Sequence, residues 1–273
     1  MDMSTRSVIS FGQRLKHLRK LRALSQLELA ERCGISQRHL AFLELDKSNP
    51  SRRMVLDLAE TLRLSIDAQN TLLLAAGFAA AYPDTAWSDK RLEYIDQAVE
   101  MILEKQEPYP AIVVDRLWNI KRTNRAADTL FAWIFDYQMV IAADILVGQN
   151  LIRLMTTEAL QPLMPNAIAL ARELLVATRR MFDSSIETLN ELELLEKECG
   201  IHKERSIHTM QPPPLDWPVI PVILEKNQVK LSLVSTITSF GAPRDLNLQN
   251  MLIESFFPTD AVTKAFFLTL QNP

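Results

Sequence analysis

The strongest constraint on the fold is a run of small, apolar and helix-capping residues at fixed spacing near the N-terminus. Its members are Leu24, Ser25, Gln26, Leu29, Ala30, Gly34, Ile35, Ser36, Leu40, Leu43 and Glu44. Ser25 and Glu28 form a capping box that begins one helix, and Ser36 caps the next. Gly34 suits a left-handed turn between them. The pattern predicts a helix-turn-helix whose second helix, residues 36–44, can enter a DNA major groove about 12 Å wide.

Apolar periodicity around this pattern predicts five short helices within residues 11–77. The first spans residues 11–22, and the fifth begins at Ser65 and ends at Gly77. The fourth carries an i, i+3, i+4, i+7 apolar stripe, formed by Val55, Leu58, Ala59 and Leu62. We therefore predict an all-helical domain over residues 1–77.

These five helices resemble the phage-repressor-like helix-turn-helix of the Xre family, over about 68 residues. The resemblance implies sequence-specific binding to double-stranded DNA, with base contacts from the beginning of the third helix and phosphate contacts around it. The implied contact residues are Gln26, Ser36, Gln37, Arg38, His39, Phe42, Lys47, Arg52 and Arg53. It also implies a structural ion pair between Arg19 and Glu44. The chain departs from the family at Asp46, where glycine is usual, and at Phe42, where polar residues are commoner.

Charge is distributed in a way that agrees with a DNA-binding N-terminus. The whole chain has a net charge of −3. Residues 1–77 carry 12 Lys and Arg against 8 Asp and Glu, which gives +4, and the remaining residues carry 18 against 25, which gives −7. A basic domain on an acidic body favours local attraction to phosphate without general adhesion to nucleic acid.

The sequence changes character across residues 78–89, which contain Pro83 and no clear apolar period, so we predict a linker there. Beyond it, predicted helices alternate with predicted strands. The helical segments are 90–105, 122–136, 156–182 with a break at Pro162 and Pro165, and 185–198. The strand segments are 111–115, 219–224, 229–239 and 246–257. A turn at Asn227-Gln228 predicts a β-hairpin, and Pro221 favours a sheet edge for its first strand. The fold class is therefore a five-helix domain followed, over residues 90–273, by an α+β domain with a small antiparallel sheet and flanking helices.

Several segments of this second domain resemble the MmyB-type regulator domain. They are Glu107-Pro108-Tyr109-Pro110-Ala111, Trp118-Asn119-Ile120, Thr123-Asn124-Arg125-Ala126-Ala127, Phe240-Gly241-Ala242-Pro243-Arg244-Asp245 and Ile253-Glu254-Ser255-Phe256-Phe257-Pro258-Thr259-Asp260. The resemblance implies a PAS-like sensory domain that binds a ligand between its sheet and its helices. We therefore expect a ligand-tuned transcription regulator.

A sheet faced by helices leaves room for an apolar cavity between the two layers. We predict that Phe131, Trp133, Leu154 and Met155 line it, with plain core packing as the alternative for each. The methionine-containing stretch 155–181 suits an adaptable wall. The predicted ligand is an elongated, mostly apolar molecule, with a fatty acid as the leading candidate. The alternative is a fully packed core without a ligand.

Signals for other chemistry are weak. The chain has six glycines, no phosphate-binding glycine-rich loop and no nucleophile elbow, so we expect no enzymatic activity and no cofactor. Cys199, His202 and His208 have a loosely metal-like spacing in a predicted loop, which is weak support for a metal site. The N-terminus lacks the apolar region of a signal peptide, and no apolar run is long enough to span a membrane. We expect a cytoplasmic protein with reduced cysteines.

Useful affinity for an operator usually needs two such DNA-binding domains, so we expect a homodimer held by the larger C-terminal domain. Two other functions are open from the sequence. In one, a DNA-binding scaffold or antitoxin-like protein uses its C-terminal domain to bind a protein partner. In the other, the N-terminal domain merely locates an enzyme on DNA.

Overall fold

The computed structural model falls into two compact units. It describes residues 9–85, 89–136, 145–182, 186–201, 219–241 and 243–270. The N-terminal unit runs to Thr85 and includes the short segment Pro243–Leu246, and the C-terminal unit contains most of the remaining chain. The division after Thr85 falls within the predicted linker.

The N-terminal unit is built from five helices, and a capping serine immediately precedes each of them. They are α1 Phe11–Leu21, α2 Gln26–Arg32, α3 Gln37–Glu44, α4 Arg52–Thr61 and α5 Ile66–Ala75. The preceding serine hydroxyl accepts a hydrogen bond from the backbone N–H three residues on; the capping serines are Ser10, Ser25, Ser36, Ser51 and Ser65. These caps satisfy donors that the helix itself leaves unpaired. The five predicted helices are confirmed.

Asp46 occupies the position after α3 where glycine is usual in this class of domain. Its φ of 53° is in the left-handed region, which costs energy for most side chains. The carboxylate offsets this cost by binding the beginning of α1: Oδ1 accepts from the Gly12 amide at 2.7 Å and Oδ2 from the Ser10 hydroxyl at 2.5 Å. A glycine would adopt this conformation more easily. Asp46 adopts it at some cost and gains hydrogen bonds that join α1 to the loop after α3.

Gly12 lies where α1 crosses closest to α3. A methyl group added there would lie 2.5 Å from the carbonyl oxygen of Leu43 and 2.7 Å from that of Glu44. Both are backbone atoms that cannot rotate away. We therefore expect Gly12→Ala to destabilise the N-terminal unit by about 1–3 kcal/mol, as overpacking does.

Hydrogen exchange of the α1 and α3 amides measures this loss of stability, because their protection reports opening of this unit alone. Gly241→Ala, in the C-terminal unit, adds a methyl group that meets nothing within 4 Å and should leave this protection unchanged. Unchanged protection in Gly12→Ala would contradict the close approach of the two helices.

The C-terminal unit contains an antiparallel sheet with strand order β2-β1-β5-β4-β3. Its strands and helices, in chain order, are α6 Glu93–Gln106, β1 Ala111–Val114, β2 Ile120–Thr123, α7 Arg125–Phe135, α8 Leu151–Met155, α9 Ala167–Met181, α10 Ile186–Glu198, β3 Val222–Lys226, β4 Val229–Thr238, α11 Leu246–Gln249, β5 Leu252–Pro258 and α12 Ala261–Leu270. Short 3₁₀ turns occur at Lys90–Leu92 and Gln161–Leu163.

Each face of this sheet packs against its own apolar core. Ile253 and Val113 face a core shared with α6. Ile112 and Leu252, one position along their strands, face a larger core to which α7, α8, α9 and α10 contribute. Successive side chains of a strand normally point to opposite faces of the sheet. The central strands β1 and β5 are therefore buried on both sides.

Two predicted elements are corrected by the structure. The segment predicted as a strand from residue 246 begins with helix α11, and the strand itself begins only at Leu252. The segment predicted as a helix from residue 122 begins with strand β2, since Asn124 caps α7 through Ala127 and also accepts from the Ala111 amide. The segment predicted as helical over 156–182 has its predicted break at the 3₁₀ turn Gln161–Leu163, and its helix, α9, begins at Ala167.

The predicted hairpin is confirmed. Asn227 and Gln228 both take positive φ between β3 and β4. β3 lies at the sheet edge, as the preceding Pro221 indicates. Among the described residues, no helix has the length and apolar character needed to cross a membrane.

Candidate nucleic-acid interface and apolar cavity

The beginning of α3 is exposed on the surface of the helix-turn-helix. Ser36, Gln37 and Arg38 are exposed, whereas His39 is half-buried. Ser36 also has a structural role, because its hydroxyl accepts from the His39 amide at 3.1 Å. Gln37 and Arg38 are therefore the two side chains at this helix end that are best placed to reach base edges.

Phe42 supports Arg38 on the surface of α3. The Arg38 guanidinium carbon lies 5.3 Å from the centre of the Phe42 ring, a cation–π contact. Phe42 itself is 37% exposed. The contact restricts the conformations of Arg38 and gives the aromatic residue a role that a polar residue could not fill.

A buried network fixes the far end of α3. Arg19 Nε lies 2.5 Å from Glu44 Oε1, and Arg19 Nη2 lies 2.9 Å from Oε2. This two-point bond raises the pKa of Arg19. Gln26 Nε2 also donates to Glu44 Oε2 at 2.8 Å. The predicted ion pair between Arg19 and Glu44 is confirmed. Gln26, a predicted phosphate contact, uses one of its amide N–H groups in the hydrogen bond to Glu44.

Basic residues flank the loop that follows α3. Lys47, Arg52 and Arg53 are all exposed. Arg53 Nε lies 2.8 Å from Asp57 Oδ1, four residues on along α4. This surface pair is weak and easily exchanged for a phosphate, because its partners remain in water. That these three residues contact the DNA backbone stays a prediction.

A small apolar cavity lies between the sheet and the helices of the C-terminal unit. Its volume is about 60 Å³, and it is lined by Pro110, Ile112, Ala127, Leu130, Phe131, Ile134, Leu151, Met155, Leu160, Met164, Leu170, Leu174, Val222, Leu224, Leu233, Glu254 and Phe256. The lining includes two of the predicted residues, Phe131 and Met155. Ligand pockets for small molecules generally measure about 300 Å³ or more. The cavity must therefore enlarge to hold more than a fragment.

The other two predicted cavity residues lie elsewhere. The Trp133 ring packs edge-on against Phe266, with centroids 5.2 Å apart, and Lys226 Nζ lies 5.9 Å from its centre. Leu154 is half-buried and packs against the larger core without lining the cavity. Their predicted position is corrected because α7 and α8 turn Phe131 and Met155, not Trp133 and Leu154, toward the cavity.

Glu254 is the functional candidate that the sequence prediction missed. Its side chain is buried and lines the cavity, and Oε2 has no hydrogen-bond partner among the described residues. Burial raises the pKa of this carboxyl to about 7, although a hydrogen bond with the Ser235 side chain opposes the shift. The signal was present in the sequence: Glu254 alternates with Leu252 and Phe256, so a strand turns it into the core.

A larger groove of about 450 Å³ lies in the same unit and has a mixed polar lining that includes Glu100, Glu104, Glu107 and Arg125. Part of its polar surface is already used, because Glu107 Oε1 accepts from the Ala126 amide at 3.1 Å. An apolar ligand is better matched by the cavity than by this groove. For the weak metal prediction, His202 and His208 lie outside the described residues, and the described ones contain no cluster of three metal ligands.

Comparison with known proteins matches both units. A family model described as the MmyB-like transcription regulator ligand binding domain matches residues 95–270, and a helix-turn-helix model matches residues 15–69. The immunity repressor protein of Bacillus phage phi105 is 38% identical over 60 residues, which is 22% of this chain. The match spans 42% of the length of that relative. Both resemblances predicted from the sequence are confirmed.

Proposed function

Because the chain belongs to the MmyB-like transcription regulators, with a helix-turn-helix before the ligand-binding domain, we propose that a small apolar ligand tunes its sequence-specific binding to DNA. The exposed N-terminal end of α3, on a tightly capped scaffold, supports the DNA-binding part most directly. The apolar cavity supports the ligand-binding part. We further propose that the protein acts in the cytoplasm, as a binding protein without a catalytic step.

In this proposal, α3 lies in the major groove. Arg38, held by Phe42, reads a guanine edge, and Gln37 reads an adenine edge. Lys47, Arg52 and Arg53 contact phosphates on either side and set the register of the helix. His39 contributes least, since it is half-buried.

Arg38→Ala is expected to weaken operator binding by about 1–3 kcal/mol and to relax the preference at one base pair. A fluorescence-anisotropy titration against operator variants, selected from a random library with the wild-type protein, measures both effects. Arg52→Ala is the matched control, since it removes the same charge at a position expected to contact phosphate. It should weaken binding to all sequences alike and flatten the salt dependence. Equal affinity and preference in Arg38→Ala and the wild type would contradict the orientation of α3.

We also propose a homodimer, because two recognition helices about 34 Å apart read an operator better than one. Tyr94 and Met101, which lie seven residues apart on one face of α6, are exposed apolar side chains that suit a dimer interface. Sedimentation is expected to show a wild-type dimer at micromolar concentration and a monomer for Met101→Glu. Leu194→Glu, at a similarly exposed apolar position on α10, should remain dimeric. A monomeric wild type, both free and on DNA, would refute the dimer.

Ligand binding requires the cavity to open beyond its 60 Å³. Met155 and Met164 line it, and the unbranched methionine side chain can rearrange at low cost. Burying an apolar chain of about ten CH₂ groups contributes roughly 8 kcal/mol before ordering costs. Such a ligand changes DNA affinity only as far as it binds the two conformations unequally. The apolar tail of a fatty acid, the ligand class predicted from the sequence, suits the lining, whereas the head group of the ligand must suit the one polar side chain among the described lining residues.

Organic extraction of the purified full chain, followed by mass spectrometry, tests this part of the proposal. An extracted apolar molecule, when added back, should change operator affinity by at least fivefold, the lower end of typical allosteric coupling. Protein that yields no such molecule, and whose DNA affinity is unaffected by medium-chain apolar compounds, would contradict a sensor role. A stable protein complex would instead favour the scaffold function.

A further inference from the structure

Glu254 is an exception in the cavity wall. The other described lining residues are apolar, whereas this carboxyl is 2% exposed and has one oxygen without a partner. Leaving a buried acceptor unsatisfied costs roughly 1–3 kcal/mol, and more when the group is charged. Such a group in a folded domain calls for an explanation, and a bound ligand is one of them.

The sheet holds Glu254 rigidly at this position. It lies on β5 between its two paired neighbours, Ile112 on β1 and Ile237 on β4. The carboxyl also hydrogen-bonds the Ser235 side chain. The strand pairing therefore places Glu254 in the cavity wall, where Oε2 is buried without a hydrogen-bond partner among the described residues.

The chemistry of a fixed, buried carboxyl determines which ligand head group can lie beside it. A hydroxyl or N–H group would donate to Oε2 and satisfy it. At pH 8, above its pKa of about 7, the carboxyl is ionised, so an anionic head group would place a second negative charge beside it in an apolar enclosure, which strongly disfavours binding. An apolar molecule without a donor would leave Oε2 unsatisfied.

We infer that the ligand of this cavity is an apolar molecule bearing a hydrogen-bond donor that binds Glu254 Oε2, and not a carboxylate such as a fatty acid anion. This inference rests on the proposed sensor function and specifies the class of ligand. Apolar side chains supply affinity for the chain or ring of the ligand, and Glu254 selects its head group. A site built to pair one polar group discriminates strongly against analogues that lack it.

Three eight-carbon probes test the inference on the full chain at pH 8. They are 1-octanol, which donates a hydrogen bond; its isomer heptyl methyl ether, which has no donor; and octanoate, which is an anion. Isothermal titration is expected to show 1-octanol binding at least tenfold more tightly than either of the others. Glu254→Gln, which keeps the shape of the side chain, should bind 1-octanol and heptyl methyl ether within about threefold of one another, because an amide both donates and accepts.

The comparison of the alcohol with its ether isomer needs only the wild-type chain, so it holds even if the variant does not fold. Equal binding of the three probes to the wild type, or a preference for the alcohol over the ether that persists in Glu254→Gln, would overturn the inference and leave the sensor function standing. Binding of none of the probes to the wild type would count against the sensor function itself, and the inference would fall with it.

Discussion

Glu44→Ala is expected to destabilise the N-terminal unit by about 3–5 kcal/mol, the usual cost of breaking a buried ion pair from one side. The Glu44 side chain is 1% exposed and that of Arg19 is 9% exposed. Without the carboxylate, the guanidinium keeps its 2.7 Å bond to the Leu24 carbonyl and loses two bonds, and Gln26 Nε2 loses its acceptor. Because these three side chains lie on α1, α2 and α3, the whole helix-turn-helix should loosen.

Hydrogen exchange of amides in α1 to α3 measures this change in the full chain. Arg53→Ala is the control, since it breaks a surface pair in the same unit and should change stability by less than about 1 kcal/mol. Similar protection in the two variants would mean that the buried network contributes little. Loss of DNA binding alone would not distinguish the two outcomes, as Arg53 is itself a proposed phosphate contact.

The helices of the N-terminal unit could be predicted because their signals are local. A serine cap, a three-residue step to its N–H partner and a glycine such as Gly34 lie within one or two turns of one another. Even the ion pair of Arg19 and Glu44 could be carried over from a family resemblance. What could not be predicted is the close approach at Gly12, because it depends on where α3 ends in space.

The C-terminal unit was harder to predict because its strands are paired over long distances. β2 is only four residues long, and it is a strand because β1 pairs with it. Local periodicity predicted a helix from residue 122, so it assigned the last two residues of the strand Ile120–Thr123 wrongly. The cavity prediction failed for Trp133 and missed Glu254 for a related reason: which residues meet in space depends on the rotation of α7 and on the register of β5.

The second large effect expected is a dependence of folding stability on pH that comes from Glu254. Its carboxyl has an ordinary pKa of 4.5 and a pKa of about 7 in the folded protein, chiefly because of burial. Between these values the folded state binds the proton more tightly than the unfolded state does, so stability falls as pH rises. The stability is fully present below about pH 4.5 and is lost as pH rises through about 7. Because a tenfold difference in proton affinity corresponds to about 1.4 kcal/mol, the total loss is about 3 kcal/mol.

Urea unfolding followed by tryptophan fluorescence measures this effect in the C-terminal unit, because the first 85 residues contain no tryptophan. The comparison is between the wild type and Glu254→Gln at several pH values from 4.5 to 8. Other ionisable groups titrate in both proteins, so the difference between the two curves isolates Glu254. Relative to the variant, the wild type should lose about 3 kcal/mol across this range, with the steepest change between pH 5 and 7. A difference that stays constant with pH would mean that Glu254 is not a buried carboxyl in the ligand-free protein, and the cavity would then lack its one selective polar group among the described residues.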